Sequence, residues 1–271
     1  MTDLPVIGAQ MTVLDIDRHR DWLFAENRDL ELAEFCMADV LDKPDTFIDM
    51  AKAKLDGWAG RLGIHGPFSG FELDTKDKEV RAVVQKRLDQ ALDVCARLGA
   101  TQMVIHSPYT HWDVGNLDAK PDGRAARTGV ILDTLGPAIG RAEALGVEMV
   151  LENIRDTDPM HRAEVVAAAD SPALRLSLDV GHAFWAERSS AAPQGPDWVR
   201  AAGTLLGHIH LQDVDGVADR HWVPGEGEVD FSGIFAALGD TGTRPRLIIE
   251  IKDYDRIGDA GAYFAATALG K

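Results

Sequence analysis

Imidazoles and carboxylates close a series of short apolar runs in this 271-residue chain. His65 ends LGIH, His106 ends MVIH, Glu152 ends MVLE, Asp179 ends LSLD, His210 ends GHIH and Glu250 ends LIIE. Three more follow in loops: His182, three residues after Asp179, and the pair Asp219 and His221 in DRHWVPGEG. Two residues apart, Asp219 and His221 face the same way in an extended segment. Any one such residue is more often a helix cap or a loop hydrogen bond than a ligand. Six in succession, delivered to one rim, are a different case. Neutral imidazoles and carboxylates form the donor set of zinc, manganese or iron, whereas a cluster of acids without a cation repels itself. His208 lies two residues deeper than His210 and is expected to be a buried structural histidine; for His19, His111 and His161 solvent or loop roles are expected.

The elements that must position these groups are legible from hydrophobic pattern. Nearly continuous apolar stretches at 4–8, 29–35, 61–65, 102–106, 147–152, 174–179, 207–211 and 246–251 have the character of parallel strands covered on both faces. Amphipathic windows separate them. In 78–98, Val80, Val83, Val84, Arg87, Leu88, Ala91, Val94 and Cys95 recur at helical spacing before Gly99, and 124–145 repeats the design before Gly146. Eight strand-then-helix units predict a single-domain (β/α)₈ TIM barrel over 1–271, with a doubly wound sheet as the alternative. In a barrel the chemistry sits at the C-terminal ends of the strands, where the imidazoles and acids fall. Segments 107–123 and 186–196 are expected as loop insertions.

Composition bounds the function. With 45% hydrophobic and 27% charged residues the chain is expected to be soluble and globular, and it has no apolar run of membrane-spanning length. Its beginning lacks the pattern of a signal peptide, so a cytoplasmic location is expected. A net charge of −16 without a Lys/Arg run argues against non-specific nucleic-acid binding. Cys36 and Cys95 sit in apolar segments and are expected to be buried structural thiols.

The order His65, His106, Glu152, Asp179, His182, His210, Asp219, His221, Glu250, with LDVGH, HIHLQD, DRHxxPGEG and IIEIK around it, resembles the xylose isomerase-like barrel superfamily. That superfamily includes sugar and sugar-phosphate isomerases and epimerases and the endonuclease IV type of abasic-site nuclease. The isomerase branch implies one divalent ion, manganese or zinc, held by Glu152, Asp179, His210 and Glu250 and stabilising the enediolate of a ketose. Glu152 and Glu250 are then the proton-transfer pair, His182 hydrogen-bonds substrate, and Phe68 and Trp112 either wall the site or pack as ordinary loop residues. Gln212 stands where many relatives carry lysine, and Gly216 where ketose epimerases often place a substrate-binding arginine, for which Arg155 or Arg220 substitutes.

The nuclease branch implies three zinc ions: His65, His106 and Glu152 at the first, Glu152, Asp179, His210 and Glu250 at the second, His182, Asp219 and His221 at the third. A different metal-dependent lyase or dehydratase is the third class. The rim loops GPFSGFELDTKDKEV and SPYTHWDVGNLD carry acids among their few lysines, unlike a phosphate-tracking surface, and favour the isomerase branch with a small sugar as substrate. Glu34 is expected either to touch substrate or to bond within the rim. Dimers and tetramers are usual among proteins of this kind.

Overall fold

The computed structural model describes residues 4–271. The chain runs β1 (Gly8–Met11), α1 (Ile16–Ala25), β2 (Leu30–Leu32), α2 (Ala38–Asp42), α3 (Asp45–Lys54), β3 (Leu62–His65), α4 (Lys78–Leu98), β4 (Gln102–His106) and α5 (Gly123–Leu145). It continues through β5 (Glu148–Glu152), α6 (Pro159–Ala169), β6 (Leu174–Asp179), α7 (Val180–Ser190), α8 (Gly195–Ala202), β7 (Leu206–Leu211), α9 (Phe231–Thr241), β8 (Arg246–Ile249) and α10 (Ile257–Ala266). Every strand pairs in parallel with the next, and β8 returns to β1 through Gly8↔Ile248 and Ala9↔Ile249, so the sheet closes into a (β/α)₈ barrel. Strands this short and apolar need cover on both faces. Closure supplies it, with helices outside and the opposing strands inside.

Strand register levels the rim. His106 stands opposite Glu152. A shift between Leu176 and Ser177 slides β6 along β7 until Asp179 stands opposite His210.

Helix ends follow their sequence signals. Asp77 accepts hydrogen bonds from the Glu79 and Val80 N–H groups at the start of α4, and Gly99 ends it in the left-handed region. The buried stripe of α4 is Val84, Leu88, Ala91, Leu92, Val94 and Cys95, whereas Val80 and Val83, expected on that stripe, are exposed. Two segments differ from expectation. The strand expected at 4–8 begins only at Gly8, because Pro5 has no N–H for a ladder, and Ile7 N–H and Pro5 O instead pair with Lys271 at the end of the chain. Segment 186–196, expected as a loop, is largely the end of α7 and the start of α8, with 191–194 between them. Its Pro, Gly and Ser suggest a loop, but Ala186, Glu187 and Arg188 are good helix formers.

Candidate metal centre and substrate cavity

Glu152, Asp179, His210 and Glu250 each offer a ligand atom, and the four atoms lie within 4.8 Å of one another. Glu152 and Asp179 are the last residues of β5 and β6, and His210 is the penultimate residue of β7. Glu250 lies one residue beyond β8, held level by its N–H, which donates to Leu211 O at 3.1 Å. Asp179 is fixed from three directions. One oxygen accepts the His182 N–H at 2.6 Å as the cap of α7, Asn153 bonds its main chain on both sides, and the Gln212 amide donates toward both carboxylate oxygens at 3.1 and 3.0 Å. Gly181 lets that amide approach: a Cβ there would sit 2.6 Å from Gln212 Cδ.

Two further groups flank the first. His65 and His106 meet Glu152 on one side, and His182, Asp219 and His221 meet on the other, each group with ligand atoms within 4.8 Å. The second of these depends on the loop after β7. Buried Asp213 ties that loop to itself by accepting from Val214, Gly225 and Val229 N–H groups at 2.8–3.0 Å, and it bridges to Trp222.

The donor set fits divalent cations. His65, His182 and His221 have Nδ1 at 3.0, 2.8 and 3.1 Å from the carbonyls of Gly66, Asn153 and Glu250. Such bonds hold the proton on Nδ1 and turn the Nε2 lone pair toward the cluster. Glu152 Oε2 is buried with no hydrogen-bond partner, 3.5 Å from His106 Nε2 and 3.9 Å from His65 Nε2. The His65 and His106 nitrogens and this Glu152 oxygen converge on one point, and the His182 and His221 nitrogens meet Asp219 on the other side. Without a cation, protons supply the positive charge. Burial opposes charge on His210, but Glu250, Glu152 and Glu31 around it raise its pKa well above the usual imidazole range. Burial likewise works against charge on His221, and Asp219, Glu250 and Asp179 outweigh it, raising its pKa to about 9. Burial drives His106 the other way, to about 3, leaving it neutral. The two glutamates part company. Burial raises both, yet contact with His210 holds Glu152 below the ordinary carboxylate range, while Glu250 stays raised beside the Glu152 charge.

Above the cluster opens a cavity of about 970 Å³. Glu152, Glu250 and His182 line it, whereas Asp179 and His210 are wholly buried beneath. Phe68 also lines it, stacked on His106 with ring centroids 4.1 Å apart. Arg155 reaches the wall. Two expected substrate contacts do not. Trp112 is 71% exposed on the turn after Thr110, outside the cavity, where its indole meets solvent. Arg220 is held by a two-pronged bond to Asp215 and lies over Trp222, off the lining.

The other histidines divide. His208 is buried, with Nδ1 2.8 Å from Ser177 Oγ and Nε2 3.3 Å from a Glu31 oxygen. His111 is exposed in a loop, but His19 and His161 are buried on α1 and α6 rather than solvated. Cys95 is buried as expected; Cys36 is only half-buried and lines the cavity. Glu34 bonds within the rim, accepting from Val13 N–H, and does not line the cavity.

Sequence reasoning missed the layer below. Glu31 in β2 is buried and lies 3.1 Å from His210 Nε2, and Gln10 in β1 donates to Glu31 at 3.0 Å and to Glu250 at 2.7 Å. A lone acid at the centre of the buried LEL strand was the available signal.

A closed parallel barrel with convergent imidazoles and acids on its C-terminal rim is the architecture of a barrel enzyme family. Residues 31–268 match the model of the xylose isomerase-like TIM barrel, and the chain belongs to that family. The TTHB071 protein of Thermus thermophilus, in a crystal soaked with ZnCl₂, is 27% identical with a TM-score of 0.73, over 97% of both chains. A D-tagatose 3-epimerase-like protein superposes with a TM-score of 0.75 at 21% identity, again over 97% of both chains. The uncharacterized protein MJ1311 of Methanocaldococcus jannaschii is 24% identical over 208 residues, 73% of this chain and 67% of its own.

Proposed function

We propose that the protein is a divalent-metal-dependent isomerase or epimerase that moves a proton on a ketose. One observation carries this: of the four residues of the central group, the two that face the cavity are Glu152 and Glu250, the two able to accept and return a proton. Glu152, Asp179, His210 and Glu250 would hold the ion. When bound, it supplies Lewis acidity, which makes the C–H beside a carbonyl acidic. Glu152 and Glu250 then act as a pair of proton carriers, one removing the proton and the other delivering one. His182 hydrogen-bonds a substrate oxygen, Phe68 covers an apolar face, and Arg155 contacts the outer end of the substrate.

The similarity to a D-tagatose 3-epimerase-like protein supports the same chemistry. So does the character of the wall. Glu72, Asp74, Glu152, Asp219 and Glu250 line the cavity, while Arg155 is the one Arg or Lys among its described residues, which suits a small sugar better than a polyanion.

The test is a panel of ketoses incubated with metal-loaded protein in deuterated water. Deuterium is expected at the carbon next to the carbonyl, with exchange reduced at least a hundredfold in Glu152→Gln and Glu250→Gln. Absence of exchange from every ketose contradicts the proposal.

The two flanking groups favour a second reading, a trinuclear zinc phosphodiesterase of the abasic-site endonuclease kind. Such a site would clamp both oxygens of a phosphodiester. Three zinc ions per chain, together with incision of an abasic-site duplex that is lost in Glu152→Gln, would replace the first proposal with this one.

A further inference from the structure

The opposite mouth of the barrel, at the N-terminal ends of the strands, holds a separate cavity of about 360 Å³. Among the described residues four guanidiniums line it, those of Arg61, Arg175, Arg244 and Arg246, and Glu148 is the one carboxylate on its wall. In a chain carrying −16 this is an unusual concentration of positive charge. Two of the four are neutralised: Arg61 grips both oxygens of Asp29, and Arg175 lies 3.4 Å from Glu148. Arg244 and Arg246 have no carboxylate of the described residues within 4.0 Å.

Arg246 is the telling member. It is 8% exposed, and its guanidinium donates to Leu62 O at 3.1 Å and to Thr101 Oγ1, so its hydrogen bonds are partly met while no carboxylate of the described residues touches it. A buried charge without a carboxylate in direct contact is costly. Burial lowers its pKa, and repulsion from Arg61 adds to that against the pull of Asp29 and Glu148. The strand beneath leaves room. A Cβ at Gly207 would lie 2.6 Å from Glu148 Oε1 and 3.2 Å from Arg175 Nε, so a side chain there would displace the charged wall.

We propose that this mouth binds a small dianionic oxyanion, inorganic phosphate or a phosphate monoester, on Arg244 and Arg246 with Arg61 and Arg175 at its sides. Among the described residues, four cations stand against Glu148 and Asp29, an excess of positive charge that suits an anion. Guanidinium forks match paired phosphate oxygens better than they match a halide. The site is distinct from the metal centre and lies at the other end of the barrel.

The test is isothermal titration of the full, metal-stripped protein with inorganic phosphate and separately with glycerol phosphate, at constant ionic strength. Saturable binding is expected, weakened at least tenfold in Arg244→Ala, an exposed position whose loss leaves the fold intact, and lost in Arg246→Gln. Phosphate binding alone identifies the free ion as ligand; equal binding of glycerol phosphate identifies a monoester. Should Arg246→Gln fail to fold, Arg244→Ala with Arg175→Ala decides. A heat signal no greater than that of added sodium chloride overturns the proposal, and so does saturable binding unchanged in both of those variants, which places the anion elsewhere.

Discussion

His221 holds a left-handed backbone, φ 51°, that costs a non-glycine residue about 1 kcal/mol, and its main-chain N–H is held by Gln212 Oε1 at 2.9 Å. That strain aims its ring at Asp219 and Glu250. Its raised pKa sets a pH dependence. A histidine raised to about 9 contributes stability that is complete below its unfolded value of about 6.5 and lost as pH climbs through 9. Metal-free protein should therefore lose roughly 3 kcal/mol from this group between those limits, measured by urea unfolding. Divalent metal should bind tighter at the higher pH, because it no longer displaces a proton. Glu31 sets a second expectation. It accepts the His210 Nε2–H, which leaves Nδ1, 2.8 Å from Glu152, as the nitrogen that would ligate an ion in place of its proton. Glu31→Leu should weaken metal binding by 10- to 100-fold in competition titration, whereas Glu31→Gln, which keeps an acceptor, should stay within a few-fold. His65, His106, Glu152, Asp179, His210 and Glu250 are legible in the sequence because each closes an apolar run. Glu31 offers a weaker signal, a lone acid inside a short apolar strand with no strand-end position to mark it, and an aromatic near the rim such as Trp112 says nothing about the direction of its ring.

At the scale of elements, α4 and the loop after β7 carry the sharpest expectations. Val84 and Leu88 are buried on α4 while Val83 is exposed. Leu88→Ala should cost about 2–5 kcal/mol in urea unfolding, and Val83→Ala about 0.5 kcal/mol or less. Asp213 holds the loop that brings Asp219 and His221 to His182. Asp213→Ala removes three hydrogen bonds to a buried carboxylate, so stability should fall by about 2–4 kcal/mol and the His182, Asp219, His221 group should lose metal first, which anomalous diffraction from metal-soaked crystals would show. Strands β3 to β8 were legible because unbroken apolar runs leave few alternatives. The first strand was displaced by a pairing with the far end of the chain, which no local window contains. The end of α7 was hidden because Ala, Ser, Pro and Gly together mimic a loop until the helix cap at Asp179 is known.

For the whole molecule, closure is what turns scattered sequence positions into a site. Residues 65 and 250 share a rim only because β8 pairs with β1, and the register shift between β6 and β7 brings Asp179 level with His210. The same closure leaves a charged mouth at the other end, so the barrel presents two ends of opposite character: acids and imidazoles above, arginines below. Among the described residues no helix is long and apolar enough to cross a membrane. The convergence of Glu152, Asp179, His210 and Glu250 on one cation is tested most directly by metal content after equilibrium dialysis against manganese or zinc. At least one tightly held ion per chain is expected, released in the double variant Asp179→Asn with Glu250→Gln while the barrel stays folded by circular dichroism. Protein that retains no ion, or a double variant that holds as many as the parent, contradicts it.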